Sequence, residues 1–292
     1  MSDSTLKQKC KTLSTARQSA ILSLVLSNTS LSPAHLLKVQ KCLEGKSFPV
    51  LDVVLHSGGG DINATYQIAE LLRNHSKKFN VLVPLYAKSA ATLLALAADE
   101  IVMGELAELG PLDTQILERQ KGGRKYGSAL NPFKSLEQLQ SFSLETLDVT
   151  VKLLLNRAAL TVDEAIGHSI DFAASVSNPL YAKLDIEKLG EYSRALAVGK
   201  EYGERLLRRY TKWKDKDEER ADVLDKLVRG YPSHDYIIDC KEFKELGFDV
   251  RYPTDAEREL FDVIAQHLID ESPTEIFCAC ESTPAPTAEE GQ

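Results

Sequence analysis

Between residues 48 and 104 the chain reads strand, glycine turn, helix, strand, serine turn, helix, strand, and that order leaves it few ways to fold. FPVLDVVLHS is short, apolar and rich in β-branched residues, as a strand buried on both faces must be. Gly58, Gly59 and Gly60 follow at once, Asp61 is placed to cap a helix, and INATYQIAELLR carries one apolar face. VLVPLYA (81–87) reads as a second strand, SAATLLALAA (89–98) as a helix of small residues, and EIVMG (100–104) as a third strand. Strands that alternate with helices at this spacing cross over and run parallel, so the fold class is α/β, a mostly parallel sheet with crossover helices.

The flanking segments are plainer. Residues 1–20 read as a polar helix, followed by the short run AILSLVL, and SPAHLLKVQKCL (32–43) has helical spacing with Pro33 suited to a first turn. Past Glu105 the stretch ELGPLDTQ is turn-like, and 120–131, with Gly122, Gly123 and Gly127, reads as a mobile loop. Segments 135–172 and 180–229 are helical, and KWKDKDEERADVLDKL is expected to be a solvated helix face. DYIIDCKEFKELGFDV reads as strand, helix and strand, and TDAERELFDVIAQHLID as a last amphipathic helix. The expected division is an N-terminal helical segment at 1–45, a core domain at 46–270 with a helical insert at about 135–229, and a disordered tail at 271–292.

Composition excludes some functions. The net charge of −8 argues against nucleic acid as a partner, since phosphates need a basic face. No apolar run approaches the roughly 20 residues a bilayer span needs. The start, MSDSTLKQKCKTLSTARQSA, is polar and lacks the small-residue cleavage signal of a secreted protein. Five cysteines, sparse and odd in number, fit free thiols in a reducing compartment, so a cytoplasmic location is expected. Neither H-E-x-x-H nor a paired C-x-x-C is present, and no metal or other cofactor is expected; Cys278 and Cys280 form a lone C-x-C.

The two turns carry the chemistry. A glycine turn at the end of a strand exposes N–H groups and suits a phosphate or an oxyanion equally well, but the Walker and dinucleotide-binding patterns are absent. Ser89, where a strand gives way to a helix, is either an ordinary N-cap or a nucleophile presented at the carboxyl edge of the sheet. Adjacent strands that end in these turns bring both to one crevice, which is where open parallel sheets bind ligands.

LHSGGGDINATYQIAELL and VPLYAKSAATLLALAADEIVMGELAELGPLDTQI resemble the Clp protease and crotonase superfamily, and more closely the serine dehydrogenase proteinase family of Clp-fold serine proteases. The resemblance spans roughly residues 50–117 and returns in SHDYIIDCKEFKELGFDV at 233–250. It implies a Clp/crotonase-like fold with ββα-type repeats. Ser89, in AKSAAT, falls where the family has its nucleophile, and the N–H groups of Ala90 and of Gly59 or Gly60 fall at the oxyanion hole. Clp peptidases carry a histidine in the stretch that reads GPLDTQ here, which offers Asp113 instead. Where they carry the triad aspartate this chain has His234 and Asp235, so the roles are read as exchanged: His234 takes the proton and Asp113 or Asp235 orients the ring. The alternative base is Lys134, 45 residues after Ser89, as in related signal-peptide peptidases. Lys88 is expected to point away from the site, and His56 to be a hydrogen-bonded structural residue.

The resemblance implies a serine endopeptidase acting on peptides or proteins, assembled as a homo-oligomer and served, where unfolding is needed, by a separate activator or unfoldase. Two other readings stay open on the same fold: a non-catalytic or latent regulatory subunit, and a crotonase-like acyl-CoA enzyme whose glycine and helix N–H groups hold a thioester enolate.

Overall fold

The structure is a computed structural model that describes residues 3–27, 29–112, 115–120, 123–158, 160–210, 212–269 and 275–276. Two compact units are present, one made of Met1–Thr114 with Val198–Gln292 and the other of Gln115–Ala197.

The first unit is built on a mostly parallel sheet. Strands β1 (Ala20–Leu26), β2 (Phe48–Ser57), β3 (Ser76–Val83), β5 (Glu100–Met103) and β9 (Val250–Arg251) pair in that spatial order, all parallel. Strand β10 (Glu275–Ile276) closes the free edge of β1 antiparallel. Crossovers run through helices α2 (Pro33–Leu43), α3 (Ile62–Asn74) and α4 (Ala90–Leu96). Asp61 caps α3, its carboxylate accepting the Ala64 N–H at 2.7 Å. The sheet is covered on both faces. Ile21, Val25, Val54, Leu82 and Val102 pack with Cys10 and Leu13 of α1 (Asp3–Arg17) and with Leu260, Phe261 and Ile264 of α10 (Asp255–Ile269). The alternate residues Leu51, Val53, Leu55 and Val81 are equally buried, so both pleat directions point into core. Each such side chain contributes on the order of 1.5–3 kcal/mol. The run AILSLVL is therefore a strand, β1, so the segment before residue 46 adds an edge to the main sheet as well as helices. Its seven residues are all buried, and a run with no alternation carries no period by which to tell strand from helix.

Pro84 decides where the second turn goes. It has no N–H for the ladder, and β3 ends one residue before it. The chain resumes as β4 (Tyr86–Ala87), which pairs with the end of β2, Ser57 opposite Ala87, and with β6 (Glu108–Leu109). The stretch read as one strand, 81–87, is thus two, and the break carries the serine turn to the glycine turn.

At the opposite end of the sheet charged groups are buried. Arg17 bonds Asp52, Glu100 and Glu257, and Arg251 bonds Glu100 and Glu257. Ser19 and Asn80 also donate to Asp52, at 2.5 and 2.7 Å. The run read as a solvated face holds another exception in α8 (Asp217–Asp225). Arg220 is buried there, bonded to Glu204, Asp217 and the Trp213 carbonyl. Charge patterning sees the charge of an arginine but not its partners.

In the second unit, the stretch 120–131 read as a loop instead contributes β8 (Gly123–Ser128) to an antiparallel hairpin with β7 (Gln115–Gln120). Helices α5 (Asn131–Arg157) and α6 (Val162–Tyr181) follow. A capping box at Thr161 and Glu164 starts α6. Its buried positions, Ala165, Ser169, Ala173 and Ser177, recur every four residues, and Ser143 of α5 donates to Ser177 at 2.8 Å. Helix α7 (Ile186–Tyr210) then leads back into the first unit, so 198–229, expected within the insert, belongs with the sheet. The tail expected at 271–292 lies outside the described residues apart from β10.

Candidate active site

The serine turn is fixed from several sides. The Lys88 N–H donates to the Ser57 carbonyl at 3.0 Å, extending the β2–β4 pairing by one residue. Ser89 then takes φ 53° and ψ −120°. Residues with a Cβ enter such regions at about 1–3 kcal/mol, and only where the surroundings impose it. The surroundings here are specific. The Ala91 N–H holds the Lys88 carbonyl at 2.9 Å, and the Leu93 N–H holds the Ser89 carbonyl at 3.2 Å. Thr92 Oγ1 lies 2.7 Å from the Ala87 carbonyl oxygen and 2.9 Å from that of Gly110, and accepts the Gly110 N–H at 3.1 Å. All seven side chains of α4 are buried, so its first turn has no freedom to relax. Ser89 occupies the N-cap position but makes no capping hydrogen bond, and it stays partly exposed. Its backbone lies outside the extended region that N-caps use.

The glycine turn lies against it. Gly59 has φ 107°, and a Cβ there would stand 3.0 Å from the Ser89 Cβ. Gly60, at φ 148°, passes so close to Leu31 that a Cβ would meet the Leu31 backbone oxygen at 2.2 Å. The Leu31 N–H bonds the Gly59 carbonyl, and the Asp61 N–H bonds the Leu31 carbonyl, both at 2.8 Å. In that parallel bridge the Gly60 N–H is not used. The Gly59 N–H, in contrast, donates to Ser57 Oγ at 3.1 Å. Of the two glycine amides expected at an oxyanion hole, Gly59 is thus engaged by its own strand, which leaves Gly60. The Ala90 N–H, at the first position of α4, has no intrahelical acceptor.

The remaining expected residues divide between the units. His234 lies half-buried in a turn closed by the Tyr236 N–H and the Ser233 carbonyl at 3.3 Å. Just after it, Ile238 and Leu109 exchange both backbone hydrogen bonds, at 2.9 and 3.1 Å, which brings this segment alongside β6 and hence to the serine-bearing edge. Asp235 is exposed. Asp113 lies outside the described residues. Lys134 belongs to the second unit, in the first turn of α5, where its 42% exposed side chain pairs with Glu137 at 3.2 Å.

Two neighbours have surroundings that the sequence does not show. Lys88 reaches β6 and the segment after His234: its Nζ lies 3.1 Å from Glu108 Oε2, 3.2 Å from the Tyr236 carbonyl oxygen and 3.5 Å from that of Leu109. His56 is buried, its Nδ1 has no hydrogen-bond partner among the described residues, and its ring centroid lies 3.9 Å from that of Tyr86. Burial pushes its pKa down to about 4, so the ring is neutral. The signals for both are faint: a lysine just past a strand and a histidine inside one look alike in sequence whether or not they reach a partner.

Residues 38–123 match the family model of the ClpP-like SDH-type serine proteinases. This segment belongs to that family. Two relatives from Methanocaldococcus jannaschii, both described as uncharacterized, align over more of the chain. MJ1495 is 27% identical over 215 residues, covering 73% of this chain and 56% of its own. MJ0137 is 32% identical over 200 residues, covering 68% and 53%. The chain therefore spans about half the length of the curated relatives it matches. The ClpP-like segment contains Gly59, Gly60, Ser89 and Ala90; His234 and Lys134 lie beyond it. Its α/β sheet, with the serine turn and the glycine turn on one edge, is the ClpP-like part of the fold. Among the described residues no helix is long and apolar enough to cross a membrane.

Proposed function

We propose that the protein is a serine endopeptidase that cleaves peptide bonds through an acyl-enzyme on Ser89. One observation carries this reading: Ser89 is held at φ 53°, uncapped, against a glycine whose missing side chain makes room for it. That strain has no structural return at a helix start where an ordinary N-cap conformation would serve, which supports a nucleophile at this turn. Ser89 Oγ attacks the scissile carbonyl and gives up its proton to a base. The oxyanion forms toward the N–H groups of Gly60 and Ala90, a type of contact worth about 3 kcal/mol in kcat. The protonated base then releases the amine, and water clears the ester by the same route in reverse.

His234 is the better supported base. Its segment is bound to β6 beside the serine turn, and an imidazole needs no desolvation to accept a proton near neutral pH. A lysine base must be stripped of water and of carboxylates to lose its proton, whereas Lys134 is exposed and paired with Glu137. Asp235 or Asp113 would orient the ring. Helix α5 has no buried residue, and Phe142, Val149 and Leu153 are exposed along one stripe of it, which supports assembly through a second copy.

Cleavage of a quenched fluorescent casein substrate tests the proposal. Wild type is expected to cleave it, Ser89→Ala and His234→Ala to lose activity, and Lys134→Ala to keep it. Loss in Lys134→Ala with retention in His234→Ala would transfer the role of base. Saturable binding of coenzyme A with no peptide cleavage would favour the acyl-CoA reading instead.

A further inference from the structure

We propose that Lys88 is a positioning residue for the site, a cationic clip that holds the His234-bearing segment against the serine turn. The proposal rests on the reading of Ser89 and His234 above and adds how the two are kept together. They are 145 positions apart in sequence, and the base lies on an irregular segment between a π-helical turn (Lys226–Gly230) and α9 (Cys240–Glu245). Such a segment has little structure of its own with which to hold a geometry.

Lys88 supplies what is missing. It directly precedes Ser89, so its backbone is part of the strained turn. Its ammonium carries three N–H groups and has three oxygens within reach: Glu108 Oε2, the Leu109 carbonyl and the Tyr236 carbonyl. The first two belong to β6 and the third lies two residues past His234. Only 15% of the side chain is exposed, so the ion pair with Glu108 is shielded more than a surface pair. Room for the stem is reserved: a Cβ on Gly110 would stand 2.7 Å from Lys88 Cδ. An ammonium placed to donate to two carbonyls and a carboxylate on two separate segments suits a clip.

The test compares Lys88→Met, which keeps the stem and loses the charge, with Lys88→Arg, which keeps the charge and N–H donors in a planar fork. Two readouts are taken. The first is amide hydrogen exchange, followed at peptides covering 231–240 and, as a reference, 20–26. In Lys88→Met exchange should quicken at 231–240 and stay unchanged at 20–26, and Lys88→Arg should restore it. The second is the rate of Ser89 labelling by a fluorophosphonate across pH. Lys88→Met should lower its maximum about tenfold or more while leaving the pH midpoint in place, because the base is displaced but not removed. Unchanged exchange at 231–240 overturns the clip. Faster exchange at 20–26 as well overturns it in favour of a general structural role. Loss of the pH midpoint overturns it by making Lys88 the base. If wild type takes no label, the reading of Ser89 fails, and the exchange experiment still decides the clip.

Discussion

Gly59 is packed against Ser89 with no room for a side chain of its own: a methyl on Gly59 would lie 3.0 Å from Ser89 Cβ and 2.9 Å from the Lys88 carbonyl oxygen. The three glycines of the turn should therefore differ sharply. Gly58→Ala meets nothing within 4 Å and should leave stability within about 0.5 kcal/mol. Gly59→Ala, at φ 107°, should cost about 1–3 kcal/mol and abolish serine reactivity even in the fraction that stays folded. Gly60→Ala drives a methyl into the Leu31 backbone and should be the least stable of the three. Urea unfolding of the three variants, with labelling of Ser89 in each, checks the order.

Acid should unfold the protein in two windows. His56 titrates near 4 in the fold against an ordinary 6.5, because burial beside Tyr86 disfavours the charged ring. Stability from keeping it neutral is complete above about pH 6.5 and is lost as pH falls toward 4, about 3 kcal/mol in all. For Glu257, burial alone would raise the carboxyl. Hydrogen bonds from Arg251 and the Thr254 N–H, with the charges of Arg17 and Arg251, outweigh it and hold the group at about 2. Its contribution is complete above about pH 4.5 and is lost between there and 2. His56→Phe should flatten the first window and keep the second, as read from unfolding free energy against pH.

Much of this architecture can be read in the sequence, and the places where it cannot are physically distinct. The glycine turn, the capped helix α3 and the serine turn are local features, set by residues within a few positions of one another. β1 is local too, but an apolar run without alternation hides its period. Lys88 and Arg220 are legible only through partners 148 and 16 positions away, and nothing in a single sequence links them. The stretch 120–131 reads as a loop because its glycines and charges outweigh the pairing of 123–128 with 115–120, which is again a contact between segments.

The exposed stripe on α5 should be an interface between copies. Leu153→Glu combined with Val149→Glu is expected to reduce the mass of the assembly measured by light scattering and to leave the circular dichroism of the monomer unchanged. An unchanged assembly mass would remove the stripe from the interface.

The most direct measurement is intact-mass spectrometry of the folded protein after exposure to a fluorophosphonate. The account requires one adduct per chain, mapped to Ser89, absent in Ser89→Ala and slowed in His234→Ala. A folded wild type that takes no adduct, or takes it at another residue, would contradict the assignment of Ser89 as the nucleophile.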